Sequence, residues 1–339
     1  MNPPLAPDVA AVLARFALPG NIRCEPHASD GLSGGRVWKI VAEERAWCLK
    51  RYPAEHPTAE RLAAIQAAVR AAADRGLQFL APPIADRTGA TAVSWDGRLW
   101  ELAPWLPGAA VNVPSAAQAQ AAFAALGRLH ETWRDLPWDG LAIDLDSHQS
   151  MGPAPGLQAR LRLLVELRGI DIDRWAHASQ KFADEPWSRS IIGILTAFRE
   201  SASRVETVLR SALREVVPRH VCLRDARPEH FLFVADRVSG VIDYDAVRVD
   251  SPLADLARLV SEWNLPEVAG RLPGIEAYDA LRPLSAAEHT VLHAFRLSAA
   301  ALTGMQWLKW IFEDGRTFPA AVLNERLPRA AAAMLHPPF

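Results

Sequence analysis

The chain changes its hydrophobic periodicity once, and this change limits what it can fold into. From about Ile22 to Ala103, apolar and polar residues alternate in short runs broken by turn residues, which is typical of β-strands. From Ser115 onward, apolar residues recur at helical spacing over long segments. The sequence therefore predicts an α+β protein in which a small antiparallel sheet precedes a mostly helical part.

Two hairpins and one helix are predicted before Ala103. Asp96-Gly97 is the dipeptide favoured in two-residue type I′ turns, and it separates the strands of the second hairpin. Pro57-Thr58 opens the helix between the hairpins. The predicted strands are 36–41 with 46–52, and 91–95 with 98–102.

A proline-rich segment ends the sheet. Pro104, Pro107 and Gly108 break the strand pattern there, so we assign residues 1–104 to an N-terminal lobe with a five-stranded sheet and one helix. Residues 105–339 form a helical C-terminal lobe. Ser115 with Gln118 and Ser285 with Glu288 are capping-box pairs that mark two helix starts, and 157–169 and 188–216 are further helical segments. A short hairpin interrupts the helices, with strands at 231–234 and 241–243 and a turn at 236–240.

Charge and composition exclude several classes of protein. There are 37 Lys and Arg residues against 39 Asp and Glu residues, a balance that argues against a dedicated nucleic-acid binder. We find neither a signal peptide nor an apolar run of membrane-spanning length, and the three cysteines have no metal-binding or redox spacing. We therefore expect a cytoplasmic protein with no membrane partner, and its oligomeric state stays open.

Two acidic residues flank the interrupting hairpin. Asp225 precedes it, and Asp243 lies at the end of its predicted return strand. Because both would project into one cleft, one carboxylate can take a proton from an attacking hydroxyl while the other holds a divalent cation on a polyphosphate. Aspartate is also a frequent turn former, so either residue alone is equally well explained as the cap of a turn.

Short motifs surround these two acids. Arg224-Asp225 matches the R-D pair of a kinase catalytic loop, Pro228-Glu229 matches a P-E pair frequent there, and Ile242-Asp243-Tyr244 is similar to I-D-F. The segment 250–257 is similar to the D-P-x-x-D-L-A that follows. Together these motifs resemble the aminoglycoside phosphotransferase branch, which includes choline kinase-like proteins, of the protein-kinase-like superfamily.

The resemblance implies a two-lobed protein-kinase-like fold that uses ATP with Mg²⁺, or Mn²⁺, and a small-molecule acceptor. Asp225 would be the catalytic base, and Asp243 and His230 would be metal ligands. The residues implied to bind nucleotide are Lys50, Ser33, Gly34, Gly35, Glu101 and Ala103. By themselves, the two glycines are equally typical of a plain hairpin turn, and a strand lysine is typical of a solvated face.

Three features depart from the family pattern. Leu223 stands where the family has histidine, so packing must replace a hydrogen bond that supports the catalytic loop. His230 stands where the family has asparagine, and imidazole suits Mg²⁺ poorly; His230 could instead donate to Asp225 or a phosphate, or be a structural loop histidine. The acid that would orient Lys50 is also undecided, since Glu60 is placed for helix capping and Gln66 is neutral.

The resemblance implies an ATP-dependent small-molecule kinase that phosphorylates a hydroxyl group. The alternative, supported by Leu223 and His230, is a weak or inactive relative that binds nucleotide or a small ligand in a regulatory role. The acceptor stays open: Asp245, Glu262 and Asp279 are candidates to meet a cationic substrate, or they are exposed charges.

Overall fold

The computed structural model describes residues 5–27, 34–136, 150–265, 272 and 274–335. The chain forms two compact units: Met1–His148 with Arg227–Arg248, and Gln149–Ala226 with Val249–Phe339. These units follow different limits from the predicted lobes, 1–104 and 105–339, and that division into lobes stays a prediction.

The first unit contains a five-stranded antiparallel sheet. Its strands are β1 (Ile22–His27), β2 (Arg36–Ala42), β3 (Arg45–Arg51), β4 (Val93–Trp95) and β5 (Arg98–Pro104). They lie in the order β1-β2-β3-β5-β4, so both predicted hairpins are confirmed. The turn of the second hairpin has the predicted geometry. Asp96 has φ 48° and Gly97 has φ 66°, and a type I′ turn requires positive φ at both positions.

Helices cover this sheet and extend the unit. They are α1 (Pro7–Leu13), α2 (Ala59–Asp74) and α3 (Ala116–Arg134). The Thr58 hydroxyl accepts the N–H of Arg61 at 3.2 Å and caps α2, and Ser115 with Gln118 forms the predicted capping box of α3. Apolar residues of α1 and its end, such as Val12 and Phe16, share a core with the sheet, in which Trp38 and Trp100 stack at 5.4 Å.

A second, three-stranded sheet completes the first unit. It consists of β6 (Ala109–Ala110), β9 (Phe231–Val234) and β10 (Arg237–Val241), in the order β10-β9-β6. The predicted return strand at 241–243 is wrong in its position. The turn lies at 235–236, where Ala235 has φ 52°, and Gly240 lies inside β10 at a register shift instead of in the turn. Asp243 therefore follows the strand.

Chain segments approach very closely at Gly108. Its φ is +106°, and a Cβ placed there would lie 2.5 Å from the Ser239 hydroxyl and 2.6 Å from the Phe233 carbonyl oxygen. The Ser239 hydroxyl donates to the carbonyl of Pro107 at 2.6 Å. A residue without a side chain is thus required where the segment leading to β6 crosses the β9–β10 hairpin.

The second unit is mostly helical. Its helices are α4 (Pro155–Arg168), α5 (Ile172–Ala178), α6 (Ser188–Ala212), α7 (Leu253–Glu262), α8 (Ile275–Asp279), α9 (Ala286–Phe312) and α10 (Ala320–Leu335). The strands β7 (Ser150–Gly152), β8 (Val217–Cys222) and β11 (Arg248–Asp250) form a small sheet in the order β11-β8-β7. The predicted helical segments at 157–169 and 188–216 correspond to α4 and α6, and the Ser285–Glu288 capping box begins α9.

The described part of the chain confirms the predicted α+β class. Antiparallel sheets dominate its first unit, and helices dominate the second. A membrane span needs a long helix with an almost uncharged apolar stretch, and none of the helices in the described ranges meets that requirement.

Candidate active site

The side chain of Lys50 joins two carboxylates that are far away in sequence. Its Nζ donates to Asp243 Oδ1 at 2.9 Å and to Asp245 Oδ1 at 2.7 Å, and the first contact links residues 193 positions apart. The lysine side chain is 17% exposed, whereas Asp243 is 43% and Asp245 35% exposed. The two carboxylates therefore stay open to solvent while they hold an almost buried ammonium group.

Burial and neighbouring charges determine the protonation states of Lys50, Asp243 and Asp245. Burial tends to lower the pKa of Lys50, but the neighbouring carboxylates, Asp245 foremost, raise it above its ordinary value. Burial tends to raise the pKa of Asp243, but Lys50 and then His230 bring it below its ordinary value. Burial raises the pKa of Asp245. Lys50 is thus a cation at neutral pH, and Asp243 is the carboxylate that stays ionised most readily.

The backbone around Asp243 is held in an uncommon conformation. Asp243 has φ 61°, in the left-handed region that few non-glycine residues adopt. On one side the N–H of Ile242 donates to the carbonyl of His230 at 2.9 Å. On the other side the Tyr244 hydroxyl donates to the carbonyl of Val241 and accepts the N–H of Ala81 at 3.2 Å. These bonds hold the backbone on both sides of Asp243.

His230 lies beside Asp243. It ends a short 3₁₀ turn, Pro228–His230, and its Nε2 lies 3.5 Å from Asp243 Oδ2. Mg²⁺ is commonly bound by one or two carboxylates together with substrate phosphates, so Asp243 fits a magnesium ion. An imidazole suits first-row transition metals better than Mg²⁺. The donor set therefore fits a divalent cation held by Asp243, with His230 as a further ligand for Mn²⁺ in preference to Mg²⁺.

The two candidate partners of Lys50 on α2 differ in their surroundings. Glu60 lies exposed in the first turn, where the helix backbone and then Thr58 lower its pKa by hydrogen bonding. Gln66 is buried, and its Nε2 donates to Glu101 Oε2 at 2.8 Å. Gln66 thus contacts a carboxylate of β5, the strand next to Lys50, while Glu60 has the capping environment that its position predicts.

The predicted nucleotide-binding residues lie around the five-stranded sheet. Gly34 and Gly35 lead into β2, while Ser33 is outside the described residues. Ala103 is buried on β5 opposite Cys48, and Glu101 of the same strand lies opposite Lys50. That these residues bind nucleotide stays a prediction.

Asp225 lies in the second unit, in a loop that is anchored by Asp255 of α7. The Asp255 carboxylate is fully buried and accepts the N–H groups of Leu223 at 2.8 Å and Arg224 at 2.6 Å. The guanidinium of Arg258, one turn further along α7, lies 3.4 Å from Asp225 Oδ1. Leu223 is buried, so packing and the bond to Asp255 support the loop where the family has a histidine.

The structure thus brings Lys50, Asp243 and His230 together in the first unit, and their convergence with Asp225 stays a prediction. The sequence did not predict the contacts of three further residues near the site: Asp245, Asp255 and Arg258. Asp245 and Glu262 were candidates for a cationic substrate, but they meet the protein's own Lys50 and arginines, Arg258 among them. Two of these residues had a signal in the sequence. Asp245 is the second acid of Asp243-Tyr244-Asp245, and Asp255 is the aspartate of the D-L-A motif.

Known proteins resemble the chain at two levels. The sequence model of the protein family described as "phosphotransferase enzyme family" matches residues 26–295. A homoserine kinase from Methylocella silvestris is 26% identical over 244 residues, which cover 68% of this chain and 63% of the relative. The chain therefore matches less than two thirds of that curated relative's length.

Solved structures resemble the chain over nearly its whole length. An aminoglycoside phosphotransferase from Alicyclobacillus acidocaldarius superposes with a TM-score of 0.60 and 18% identity, covering 99% of this chain and 97% of that one. An amicoumacin kinase in complex with AMP-PNP and Ca²⁺ gives a TM-score of 0.63 at 12% identity, covering 96% and 91%. At these identities the likeness concerns the fold, and it confirms the protein-kinase-like fold that the motifs imply.

Proposed function

The chain belongs to the phosphotransferase enzyme family, and from this premise we propose that it transfers the γ-phosphate of ATP to a hydroxyl group of a small molecule. The observation that carries the proposal is the contact of Lys50 Nζ with Asp243 Oδ1 at 2.9 Å. It unites the cation and the acid that such a reaction needs at the polyphosphate, and the loop that carries Asp225 is independently anchored by Asp255.

Each residue has one task in this proposal. Lys50 leaves its carboxylate partners and binds phosphate oxygens, and the Ser33–Gly35 loop covers them. Asp225 accepts the proton of the acceptor hydroxyl while the hydroxyl oxygen bonds to the γ-phosphorus. The bond from the γ-phosphorus to the β–γ bridging oxygen breaks at the same time, which releases ADP. Arg258 orients the Asp225 carboxylate.

A divalent cation would be held by Asp243, with His230 as its neighbour. When bound, such an ion neutralises charge on the transferred phosphate. The excess of carboxylates around Lys50 supports this role, because Asp243 would be available to hold the ion once Lys50 binds the phosphates. We propose Mg²⁺ as the usual ion and Mn²⁺ as the ion for which His230 is the better ligand.

The acceptor is proposed as a class. Because a homoserine kinase is among the curated relatives, hydroxy amino acids are the first acceptors to test, followed by aminoglycosides and amino alcohols. We propose that the protein acts in the cytoplasm, with neither nucleic acid nor membrane as a partner.

The test is ADP release from ATP with such an acceptor panel, in Mg²⁺ and in Mn²⁺. We expect one acceptor class to raise ADP release above the background ATPase rate. Asp225→Asn should then lower kcat by about 10²- to 10⁴-fold, the usual contribution of a general base. Its affinity for ATP, measured by thermal shift, should stay close to that of the wild type.

Other outcomes decide against parts of the proposal. Full turnover by the Asp225→Asn variant would show that another group is the base. Stabilisation by ATP without transfer to any acceptor would favour the alternative, a nucleotide-binding regulatory protein, to which Leu223 and His230 point. No stabilisation by ATP with either metal would contradict both functions.

A further inference from the structure

A lysine that binds phosphate needs a fixed partner, because a flexible ammonium group loses entropy whenever it is held in place. Asp243 and Asp245 contact Lys50, but in the proposed function Lys50 leaves both carboxylates and Asp243 would hold the divalent cation. Neither of the two candidate residues on α2 combines a negative charge with a position near Lys50. Glu60 is exposed at the helix start, and Gln66 is neutral.

A carboxylate lies on the neighbouring strand instead. Glu101 of β5 is the register partner of Lys50 on β3. Side chains of directly opposed residues in an antiparallel pair lie on the same face of the sheet, with Cβ atoms about 4.5–5.5 Å apart. Glu101 therefore faces Lys50 whatever the nucleotide does, since the pairing of the two strands sets its place.

The Glu101 carboxylate is itself held by two donors. The Tyr52 hydroxyl donates to Oε1 at 2.8 Å, and Gln66 Nε2 donates to Oε2 at 2.8 Å. Tyr52 is two residues beyond Lys50 on the same face of the chain, and the Lys50 ammonium lies 4.9 Å from the centre of its ring. Gln66 is fixed in turn by Thr91, whose hydroxyl donates to its Oε1 at 2.5 Å.

The charges agree with this geometry. Burial, the largest influence, raises the pKa of Glu101 above its ordinary value, although the charge of Lys50 and the bonds from Gln66 and Tyr52 act to lower it. Leaving an ionised carboxylate in this half-buried place is unfavourable unless a cation and donors compensate it. Lys50, Gln66 and Tyr52 supply part of that compensation.

We propose that Glu101 is the positioning carboxylate of Lys50, taking over from the strand the task that a helix glutamate performs in protein kinases, and that Gln66 acts by orienting Glu101. The inference rests on the proposed function, because it gives Lys50 its role at the phosphates. It also gives the Glu101 side chain a task other than the direct nucleotide contact predicted for this residue.

The first test is kinetic and uses matched substitutions. Glu101→Gln keeps the shape and removes the charge, and we expect KM for ATP to rise by about tenfold, equivalent to about 1.4 kcal/mol, with a smaller change in kcat. Glu60→Gln makes the same chemical change at the exposed acid and should leave both constants unchanged. Glu101→Gln combined with Gln66→Glu returns a carboxylate from the helix side and should recover part of the loss.

The second test needs no enzymatic activity. Removing the Glu101 charge makes the ammonium of Lys50 easier to deprotonate, so an amine-acylating reagent at alkaline pH should modify Lys50 faster in Glu101→Gln than in the wild type. Peptide mass spectrometry measures the acylation rate of Lys50 and, as a control, that of Lys39 on β2. The acylation rate of Lys39 should be the same in the variant and the wild type. Should Glu101→Gln fail to fold, Gln66→Met keeps the Glu101 charge but removes the donor to Glu101 Oε2 and the acceptor of the Thr91 hydroxyl. It is expected to change both readouts in the same direction but less.

The outcomes separate the two hypotheses. If no acceptor is ever phosphorylated but the acylation of Lys50 accelerates in the Glu101 variant, the proposed function fails and the pairing of Glu101 with Lys50 stands. A folded Glu101→Gln protein with unchanged KM and unchanged Lys50 acylation overturns the inference. An effect of Glu60→Gln equal to that of Glu101→Gln overturns it as well.

Discussion

Two non-glycine residues beside the proposed chemistry have a left-handed backbone. Arg224 has φ 68° and Asp243 has φ 61°. Such conformations cost about 1–3 kcal/mol each and persist only where the surroundings enforce them. The Asp255 carboxylate holds the N–H of Arg224 at 2.6 Å, and the bond from Ile242 to His230 adjoins Asp243. The fold therefore stores strain at Asp243 and at Arg224, the residue that precedes Asp225.

The anchor of the Asp225 loop can be tested at Asp255. In Asp255→Asn one carboxylate oxygen becomes an amide that cannot accept, so the N–H of Leu223 or Arg224 is left unpaired. We expect the free energy of unfolding to fall by about 1–3 kcal/mol, measured by urea unfolding. Because the loop carries Asp225, kcat should fall while KM for ATP stays near the wild-type value in steady-state kinetics.

Asp279 offers a matched control for this experiment. Its carboxylate accepts one backbone N–H, that of Leu284 at 2.7 Å, away from the Asp225 loop. Because the amide oxygen of asparagine can still accept that N–H, Asp279→Asn should leave both stability and kcat close to the wild-type values. An Asp255→Asn enzyme that keeps full kcat would contradict the anchoring role.

The Asp86 carboxylate gives a pH-dependent contribution to stability. It accepts the hydroxyl of Thr88 at 2.6 Å and the N–H groups of Thr88 and Ala90, and it pairs with Arg15 at 2.8 Å. These contacts, the Thr88 hydroxyl foremost, lower the pKa of Asp86 to about 2. The folded pKa is below the unfolded value of about 3.9, so the contribution is present above that value and is lost as the pH falls towards 2.

We expect Asp86→Asn to flatten this part of the acid profile. The urea midpoint of the wild type should fall more steeply between pH 4 and pH 2 than that of the variant, because asparagine does not titrate. Parallel profiles of the two proteins would show that Asp86 is not the source.

At the scale of single elements, local signals sufficed for much of the fold. The Asp96-Gly97 turn, the capping box at Ser115 and the cap at Thr58 each involve residues a few positions apart, and the structure has them as the sequence predicts. Such elements are determined by nearby backbone chemistry and therefore leave a readable pattern.

Elements that depend on distant partners were missed or misplaced. The two residues of β6 pair with β9 more than a hundred positions later, and a run so short has no periodicity to detect. Gly240 suggested a turn, but it lies within β10. In the site, the pairing of Lys50 with Asp245 and of Gln66 with Glu101 depends equally on long-range assembly, so sequence spacing indicated the residue types without their contacts.

The crossing at Gly108 allows a test of one such long-range contact. In Gly108→Ala the new Cβ would meet the Phe233 carbonyl and the Ser239 hydroxyl at under 3 Å, in addition to the unfavourable positive φ. Gly76→Ala has a similar φ of +96° but open space around the new atom. The backbone penalty alone is about 1–2 kcal/mol, so we expect Gly76→Ala to lose that much in urea unfolding and Gly108→Ala clearly more. Equal losses in the two variants would mean that the crossing is looser than described.

At the scale of the whole molecule, the class of fold follows from the sequence while the acceptor does not. One change of periodicity and a handful of motifs around Asp225 and Asp243 predict the kinase-like fold, because the proposed phosphate transfer needs particular residue types at particular spacings. Acceptors differ in shape and charge, and the residues that meet them need no common motif. The candidates Glu262 and Asp279 illustrate this, since their carboxylates serve internal contacts.

The first unit is assembled from two separate stretches of chain, because Arg227–Arg248 joins Met1–His148. During synthesis, β6 must therefore wait until the whole of 149–226 and then β9 have left the ribosome before the two strands can pair. At translation rates of about 5–20 residues per second this delay is on the order of ten seconds. Throughout it the nascent chain carries Lys50 without its two aspartates, so this ammonium has no counter-charge from Asp243 and Asp245 until the later stretch is made.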